Sequence, residues 1–211
     1  MPVKFILFDA FGTLLRIPNG RHPYRQLLRE GARQGRKMQA NDVHQIMTRH
    51  LDLAQAAEHF GIKISADHLA EIESVLKAEL ESIEAYDDGL RAVEILQAEG
   101  IRVAVASNLA APYANPVRHH YPTMDAYGFS FAVGALKPQP FLYRATCELL
   151  GMEDTSTLTA DEVMMIGDSE KCDRIGPQAV GIQGFLLNRN GGQDFTDLMA
   201  FAAHVLAYNR R

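Results

Sequence analysis

A single carboxylate follows a short apolar segment near the start of the chain. Residues 3–8 are hydrophobic apart from one lysine, Asp9 comes directly after them, and Gly12 marks a turn. Such a run is typical of a strand buried on both faces of a parallel sheet. An ionised carboxylate at its end is costly unless a cation or hydrogen bonds compensate the charge. Asp9 is therefore a candidate catalytic or metal-binding residue, although an Asp that caps the following turn gives the same pattern.

Further polar groups follow other apolar runs of the chain. Ser107 and Asn108 end one run, Lys137 follows another, and Asp168 ends a third, with Asp173 five residues further on. Taken singly, these residues are common in turns, solvated loops and helix caps. In open α/β sheets, however, ligands bind at the carboxyl ends of the strands. The ordered set therefore predicts one site that contains all of these side chains.

Strand-like and helix-like segments alternate through most of the chain. This alternation predicts right-handed βαβ units and an α/β fold with a doubly wound parallel sheet. The apolar runs that predict strands are 3–8, 101–107, 129–133, 163–167 and 184–188.

One long segment interrupts this alternation after the first strand. Residues 24–86 have helical periodicity throughout and divide into three predicted helices, with Asn41 and Ser65 as N-caps and Gly61 as a helix end. We therefore expect a core made of residues 1–17 and 88–211. Residues 18–87 are expected to form a helical domain inserted into that core.

The composition excludes several classes of protein. The chain has 211 residues, of which 47% are hydrophobic and 22% charged, and its formal net charge is −5. This composition is typical of a globular protein and argues against a general nucleic-acid binder. No apolar run is long enough for a signal peptide or a membrane span, so we expect a cytoplasmic protein without a membrane partner. Cys147 and Cys172 lack metal-ligand spacing and are expected to be free thiols.

The four segments DAFGTLL, SN, KPQP and GDSEKCD, in this order, resemble the four motifs of the haloacid dehalogenase-like hydrolase superfamily. The resemblance covers the whole chain. It implies a Rossmann-like core, and the inserted helices resemble the small helical cap of the superfamily's first cap class. It also implies a hydrolase with an aspartate nucleophile that acts on a small, usually anionic substrate.

The resemblance implies a role for each motif residue. Asp9 is the expected nucleophile, Ser107 and Asn108 are expected to donate to the oxygens of the transferred group, and Lys137 to neutralise their charge. Asp9, Asp168 and the main-chain carbonyl of Phe11 are the expected ligands of Mg²⁺.

Four more residues are expected around this centre. Thr13 and Asp173 are expected to lie next to the Mg²⁺ ligands without binding the ion themselves. Asp173 is expected to orient a metal-bound water or Lys137. Gly12 and Arg16 are expected to contact substrate, as is the side chain of Phe11. For Arg16, an ordinary surface position remains an alternative.

Phe11 departs from the pattern of most phosphatases in the superfamily. They have a second aspartate two residues after the nucleophile, which protonates the leaving alkoxide and then activates water. An aromatic residue at this place resembles the 2-haloacid dehalogenase branch, in which halide leaves without a proton. Those dehalogenases work without metal and tend to carry a serine where this chain has Asp168. The first and fourth motifs therefore point to different reactions.

The charges favour the phosphatase. Without a cation, three carboxylates would face one lysine, which would raise the pKa of one of them and weaken the nucleophile. We therefore expect a magnesium-dependent phosphatase for substrates with good leaving groups, such as acyl or aryl phosphates. A metal-independent 2-haloacid dehalogenase and a weakly active protein that binds a phosphorylated ligand or a protein partner remain alternatives. The phosphonate-cleaving branch would need a cap lysine, and nothing distinguishes one among Lys37, Lys63 and Lys77.

The inserted helices carry a row of arginines. Arg25, Arg29, Arg33 and Arg36 would share one face of a single helix. Such a row could bind an anionic substrate, form salt bridges within the cap or be simply solvated, and the last two alternatives are favoured.

Overall fold

The computed structural model describes residues 2–159 and 161–211 and contains seven strands. These are β1 (Phe5–Phe8), β2 (Leu15–Arg16), β3 (Glu84–Ala85), β4 (Arg102–Ser107), β5 (Ala126–Phe129), β6 (Val163–Gly167) and β7 (Gln183–Leu186). Five of them form one sheet in the order β5-β4-β1-β6-β7, and every neighbouring pair is parallel. The predicted α/β fold with a parallel sheet is confirmed.

Both faces of this sheet are buried, which explains the continuous apolar runs. Ile6, Leu7 and Phe8 of β1 are fully buried. Ile6 and Phe8 belong to one hydrophobic cluster, whereas Leu7 belongs to a second cluster on the opposite face. This arrangement follows from the alternation of side chains along a strand. The strand order places β1, with Asp9 after it, at the centre of the sheet.

Ten α-helices are assigned within the described residues. They are α1 (Pro23–Arg33), α2 (Asp42–Met47), α3 (Leu53–His59), α4 (Ala66–Glu81), α5 (Asp87–Ala98), α6 (Ala114–His120), α7 (Ser130–Val133), α8 (Pro140–Leu149), α9 (Gly176–Gln178) and α10 (Leu198–Asn209). Helices α5, α6 and α10 contribute to the first hydrophobic cluster, and α8 contributes to the second. A π-helical segment, Glu170–Ile175, follows β6.

Helices α1 to α4 pack around a third hydrophobic cluster, to which Ala110, beyond the end of β4, also belongs. The chain enters this helical segment through β2 and leaves it through β3, and these two short strands pair antiparallel. The sequence predicts three helices here, but there are four. Asp52 breaks the predicted second helix, because its side chain accepts a hydrogen bond from the backbone N–H of Gln55 at 2.7 Å and begins α3.

The caps and the remaining boundaries agree with the sequence in part. Ser65 caps α4 by accepting from the N–H of His68, whereas Asn41 precedes α2 without a side-chain capping bond. Gly61 has φ of +64° just after α3. The predicted strand 129–133 is wrong, because the strand ends at Phe129 and the next four residues form α7. A short apolar run cannot distinguish a buried strand from a helical turn.

Candidate active site

Asp9 lies just beyond the carboxyl end of β1 and is largely buried. Two side chains donate to its Oδ1. The Oγ of Ser107, at the end of the neighbouring strand β4, donates at 3.1 Å, and the Nζ of Lys137 donates at 2.6 Å. No hydrogen bond from the described residues reaches Oδ2. The two donors therefore fix the orientation of the carboxylate and leave one of its oxygens available.

Lys137 is buried between two carboxylates. Its Nζ lies 2.6 Å from Oδ1 of Asp9 and 2.6 Å from Oδ1 of Asp173. Burial alone would lower the pKa of this lysine, but the two carboxylates outweigh burial and raise the pKa above its ordinary value. The ammonium group is therefore a permanent positive charge beside Asp9.

Asn108 holds the backbone of Lys137. Its Oδ1 accepts from the N–H of Lys137 at 2.7 Å, and its Nδ2 donates to the carbonyl of Lys137 at 3.0 Å. The family resemblance implies that either the backbone or the side chain of Asn108 donates to the transferred group. In the structure its side-chain amide is instead committed to positioning the lysine, so any contact with that group falls to its backbone.

Two glycines make room for the carboxylates that follow β6. A Cβ on Gly12, which has φ of +90°, would lie 2.1 Å from Oδ2 of Asp168. A Cβ on Gly167 would lie 2.3 Å from Cγ of Asp173. Any side chain at either position would displace a carboxylate. The predicted role of Gly12 in substrate contact stays a prediction, and its visible effect is to make space for Asp168.

One oxygen atom from each of Asp9, Asp168 and Asp173 lies within 4.8 Å of the others. Both oxygens of Asp173 already accept hydrogen bonds, from Lys137 and from the N–H of Ser169 at 2.9 Å. No cationic side chain among the described residues forms a salt bridge with Asp168. Asp9 and Asp168 therefore present free carboxylate oxygens, the donor type that Mg²⁺ prefers.

The charge balance of this cluster also fits a bound cation. Burial is the main cause that raises the pKa of Asp173 to about 6, and the attraction of Lys137 only partly offsets it. Burial and the charge of Asp9 likewise raise the pKa of Asp168. Three carboxylates thus share one ammonium group, so a divalent cation would relieve their repulsion.

The sequence profile of the haloacid dehalogenase-like (HAD-like) hydrolases matches residues 3–181. The chain belongs to this family of hydrolases. No curated protein matches it in sequence. Among solved structures, a HAD phosphatase from Thermococcus onnurineus is 20% identical, with a TM-score of 0.64 and 100% of both chains covered.

Two dehalogenases have similar folds. A 2-haloacid dehalogenase from Pseudomonas syringae pv. tomato is 16% identical, with a TM-score of 0.65, over 97% of this chain and 98% of that one. The L-2-haloacid dehalogenase from Xanthobacter autotrophicus with covalently bound chloropropionic acid is 17% identical, with a TM-score of 0.58, over 97% and 98%. At these identities the similarity establishes the shared fold only.

No helix among residues 2–159 and 161–211 is long and apolar enough to cross a membrane.

Phe11 of this HAD-like hydrolase borders a cavity of about 250 Å³ between the inserted helices and the core. Its ring packs edge-on against Tyr113, with centroids 5.9 Å apart and an interplanar angle of 89°. The cavity wall comprises Phe11, Ile17, His22, Pro23, Tyr24, Arg25, Leu28, Val43, Ile46, Met47, Glu79, Asn108, Leu109, Ala110 and Tyr113. Two residues of this wall are near neighbours of the nucleophile's site in sequence, since Phe11 is two residues from Asp9 and Asn108 follows Ser107.

Glu79 is a buried carboxylate that the sequence does not single out. It lies on α4 and accepts from the N–H of His22 at 2.9 Å, from the N–H of Arg21 and from the hydroxyl of Tyr113. In the sequence it is one of several acids on that helix. Its spacing from Ile72 and Leu76 nevertheless places it on the buried face, and this spacing is the signal that could have found it.

Ser130 is a second buried residue that the sequence does not single out. Its Oγ accepts from the N–H of Leu109 at 3.0 Å and lies 2.6 Å from the carbonyl of Met47, to which it can donate. Met47 ends α2, so this hydroxyl connects the inserted helices to the segment that follows Asn108. The serine lies in the segment predicted as a strand, which concealed its position.

The remaining predicted residues lie outside the carboxylate cluster. Thr13 is fully buried, its Oγ1 has no hydrogen-bond partner among the described residues, and its carbonyl accepts from Arg189 at 2.7 Å. Arg16 is about half exposed, and its Nε donates to Glu84 at 2.8 Å across the β2–β3 pair. The contact that the structure shows for Thr13 is therefore through its backbone carbonyl, and the guanidinium group of Arg16 already has a protein partner.

The row of arginines in the inserted helices does not lie along one helix. Helix α1 ends at Arg33, and Arg36 lies beyond it with its guanidinium group paired to both oxygens of Asp42 at 2.7 Å. Arg33 pairs with Glu30 of its own helix. Only Arg25 of this row borders the cavity, where it is exposed.

Proposed function

We propose that this HAD-like hydrolase is a magnesium-dependent phosphatase that acts on small phosphorylated metabolites with good leaving groups. The observation that carries the proposal is the position of Asp168. Its carboxylate lies against Gly12 and near that of Asp9, and no cationic side chain among the described residues forms a salt bridge with it. A reaction that needs no metal gains nothing from a further carboxylate beside the nucleophile.

The reaction proceeds in two displacements. An oxygen of Asp9 attacks phosphorus, the bond from phosphorus to the leaving oxygen breaks, and the electron pair departs with the leaving group. Water then attacks the aspartyl phosphate and releases inorganic phosphate. Lys137 offsets the negative charge of the phosphoryl oxygens in both steps, and Ser107 holds the nucleophile in position.

Asp9, Asp168 and the carbonyl of Phe11 would hold the magnesium ion. When bound, the ion supplies positive charge to the phosphoryl group. In this proposal, residues 18–87 form the cap over a core of residues 1–17 and 88–211.

The leaving group must depart without a proton from residue 11. A positioned acid typically contributes about 100- to 10,000-fold, and Phe11 has no proton to give. Tyr113 cannot replace it, because burial and the carboxylate of Glu79 raise the pKa of its hydroxyl, which is already bonded to that carboxylate. Acyl and aryl phosphates fit this limitation, whereas alkyl phosphates do not.

Metal-independent hydrolysis of a 2-haloacid is the second candidate function. Phe11 and the apolar cavity beside it favour this reaction, since halide is a stable anion that leaves unprotonated. The test is a paired screen of phosphate release, with and without magnesium, and of halide release from short 2-haloacids. We expect phosphate release only with magnesium. Halide release in the presence of a chelator would overturn the proposal.

A further inference from the structure

The cavity between the inserted helices and the core is mostly apolar. Its wall has side chains from both parts of the chain, with Leu28, Ile46 and Met47 on one side and Leu109 and Ala110 on the other. A volume of about 250 Å³ lies just below the range of about 300–1,000 Å³ that is typical of drug-sized ligands. A group of one aromatic ring, or of two fused rings, is the size that such a space accepts.

The buried polar groups in the cavity wall already have protein partners. Glu79 accepts from two backbone N–H groups and from Tyr113, and Tyr24 donates to the carbonyl of Leu51 at 2.7 Å. The amide of Asn108 is committed to Lys137. A site that selects a polar group keeps hydrogen-bonding atoms free for it. The buried polar side chains of this wall are thus bonded to the protein itself, and the exposed polar side chains of His22 and Arg25 lie at its rim.

We propose that the cavity is the binding site for an apolar aromatic leaving group, so that the physiological substrate is an aryl phosphate. This inference rests on the proposed phosphatase function and narrows it. The absence of a proton donor at Phe11 restricts the leaving group to an acyl or an aryl oxygen. The apolar wall and the edge-on pair of Phe11 and Tyr113 then favour the aryl group, because aromatic rings pack well against such pairs.

The test fills the cavity and compares two substrates. Ala110→Leu adds three heavy atoms to the wall, and Ala98→Leu makes the same change at an exposed position of α5 as the matched control. Each variant is compared with the wild type on phenyl phosphate and on acetyl phosphate, so that the intrinsic reactivity of each leaving group cancels. We expect Ala110→Leu to lower kcat/KM for phenyl phosphate about 30-fold, and for acetyl phosphate less than about 3-fold. Ala98→Leu should change neither.

A second measurement does not depend on turnover. Calorimetry should detect phenol binding to the wild type with a Kd of roughly 1 mM or below, and no binding of glycerol, a polar alcohol of similar size. Phenol binding should weaken about tenfold or more in Val43→Phe, because the larger side chain narrows the cavity at its exposed rim. This variant provides the same test of the cavity if Ala110→Leu does not fold.

The two proposals fail in different ways. Hydrolysis of both phosphates, with equal losses in Ala110→Leu and no binding of phenol, would overturn the assignment of the cavity and leave the phosphatase intact. Phenol binding that Val43→Phe weakens, without hydrolysis of any phosphate, would support the cavity as an aromatic site and overturn the phosphatase.

Discussion

Phe11→Asp tests whether the missing acid limits this hydrolase. A positioned carboxylic acid contributes about 100- to 10,000-fold to departure of a basic leaving group. Against this gain stands the loss of the apolar ring of Phe11 from the cavity wall, whose contact with a bound substrate would be worth about 0.5–1.5 kcal/mol, or up to about tenfold. The expected net increase in kcat/KM for a simple alkyl phosphate is therefore about 10- to 1,000-fold.

Phenyl phosphate should respond in the opposite direction to the same substitution. Its leaving group gains little from a proton, and it loses the aromatic surface of Phe11 in the cavity wall. We expect its kcat/KM to fall up to about tenfold. The ratio of alkyl to aryl phosphatase activity should therefore be higher in the variant than in the wild type.

The assay is steady-state release of inorganic phosphate from both substrates at saturating magnesium. Phe11→Asn is the matched control, because asparagine has the size of aspartate but cannot act as the acid. It should show the loss on phenyl phosphate without the gain on the alkyl phosphate. Equal behaviour of the two variants would refute the reasoning, as would a wild type that hydrolyses both substrates equally well.

Other substitutions test the electrostatics of the site and the stability of the inserted helices. Lys137→Met should lower phosphatase activity about 100- to 1,000-fold, because no other ammonium group among the described residues pairs with Asp9; release of inorganic phosphate measures the loss. Tyr113→Phe should destabilise the fold by about 1–3 kcal/mol in urea unfolding, because Glu79 loses a donor. Asp42→Asn should also destabilise. Hydrogen bonds from Arg36 are the main cause that lowers the pKa of Asp42, so its stabilisation is present near pH 7 and declines as pH falls below about 4. Thermal unfolding of the variant and the wild type should therefore converge at low pH.

The layout of the site follows from the sequence because parallel strands end at one edge of a sheet. Asp9 follows β1, Ser107 ends β4 beside it, and Asp168 follows β6 on the other side. An apolar run and the polar residue after it are enough to predict which side chains meet at this edge. The order of the motifs is therefore informative about the site even where the exact ends of the strands are not.

The hydrogen-bond partners within the site do not follow from the same pattern. Asn108 could face a substrate or the backbone of Lys137, and only the conformation of the loop decides between them. Glu79 has the same difficulty at the level of a helix, since a carboxylate on a buried face is unexpected unless its donors are known. Two of its three donors are backbone groups near the start of α1, distant in sequence.

The aromatic residue beside the nucleophile connects the reaction to its substrate. Phe11 removes a proton donor from the site and at the same time adds an apolar surface to the cavity. An aspartate there would add a second carboxylate to the wall that already contains Glu79, and it would need hydrogen-bond donors of its own, whereas the Tyr113 hydroxyl is already bonded to Glu79. The missing acid and the apolar wall therefore favour the same leaving group, an aromatic ring whose oxygen departs without a proton.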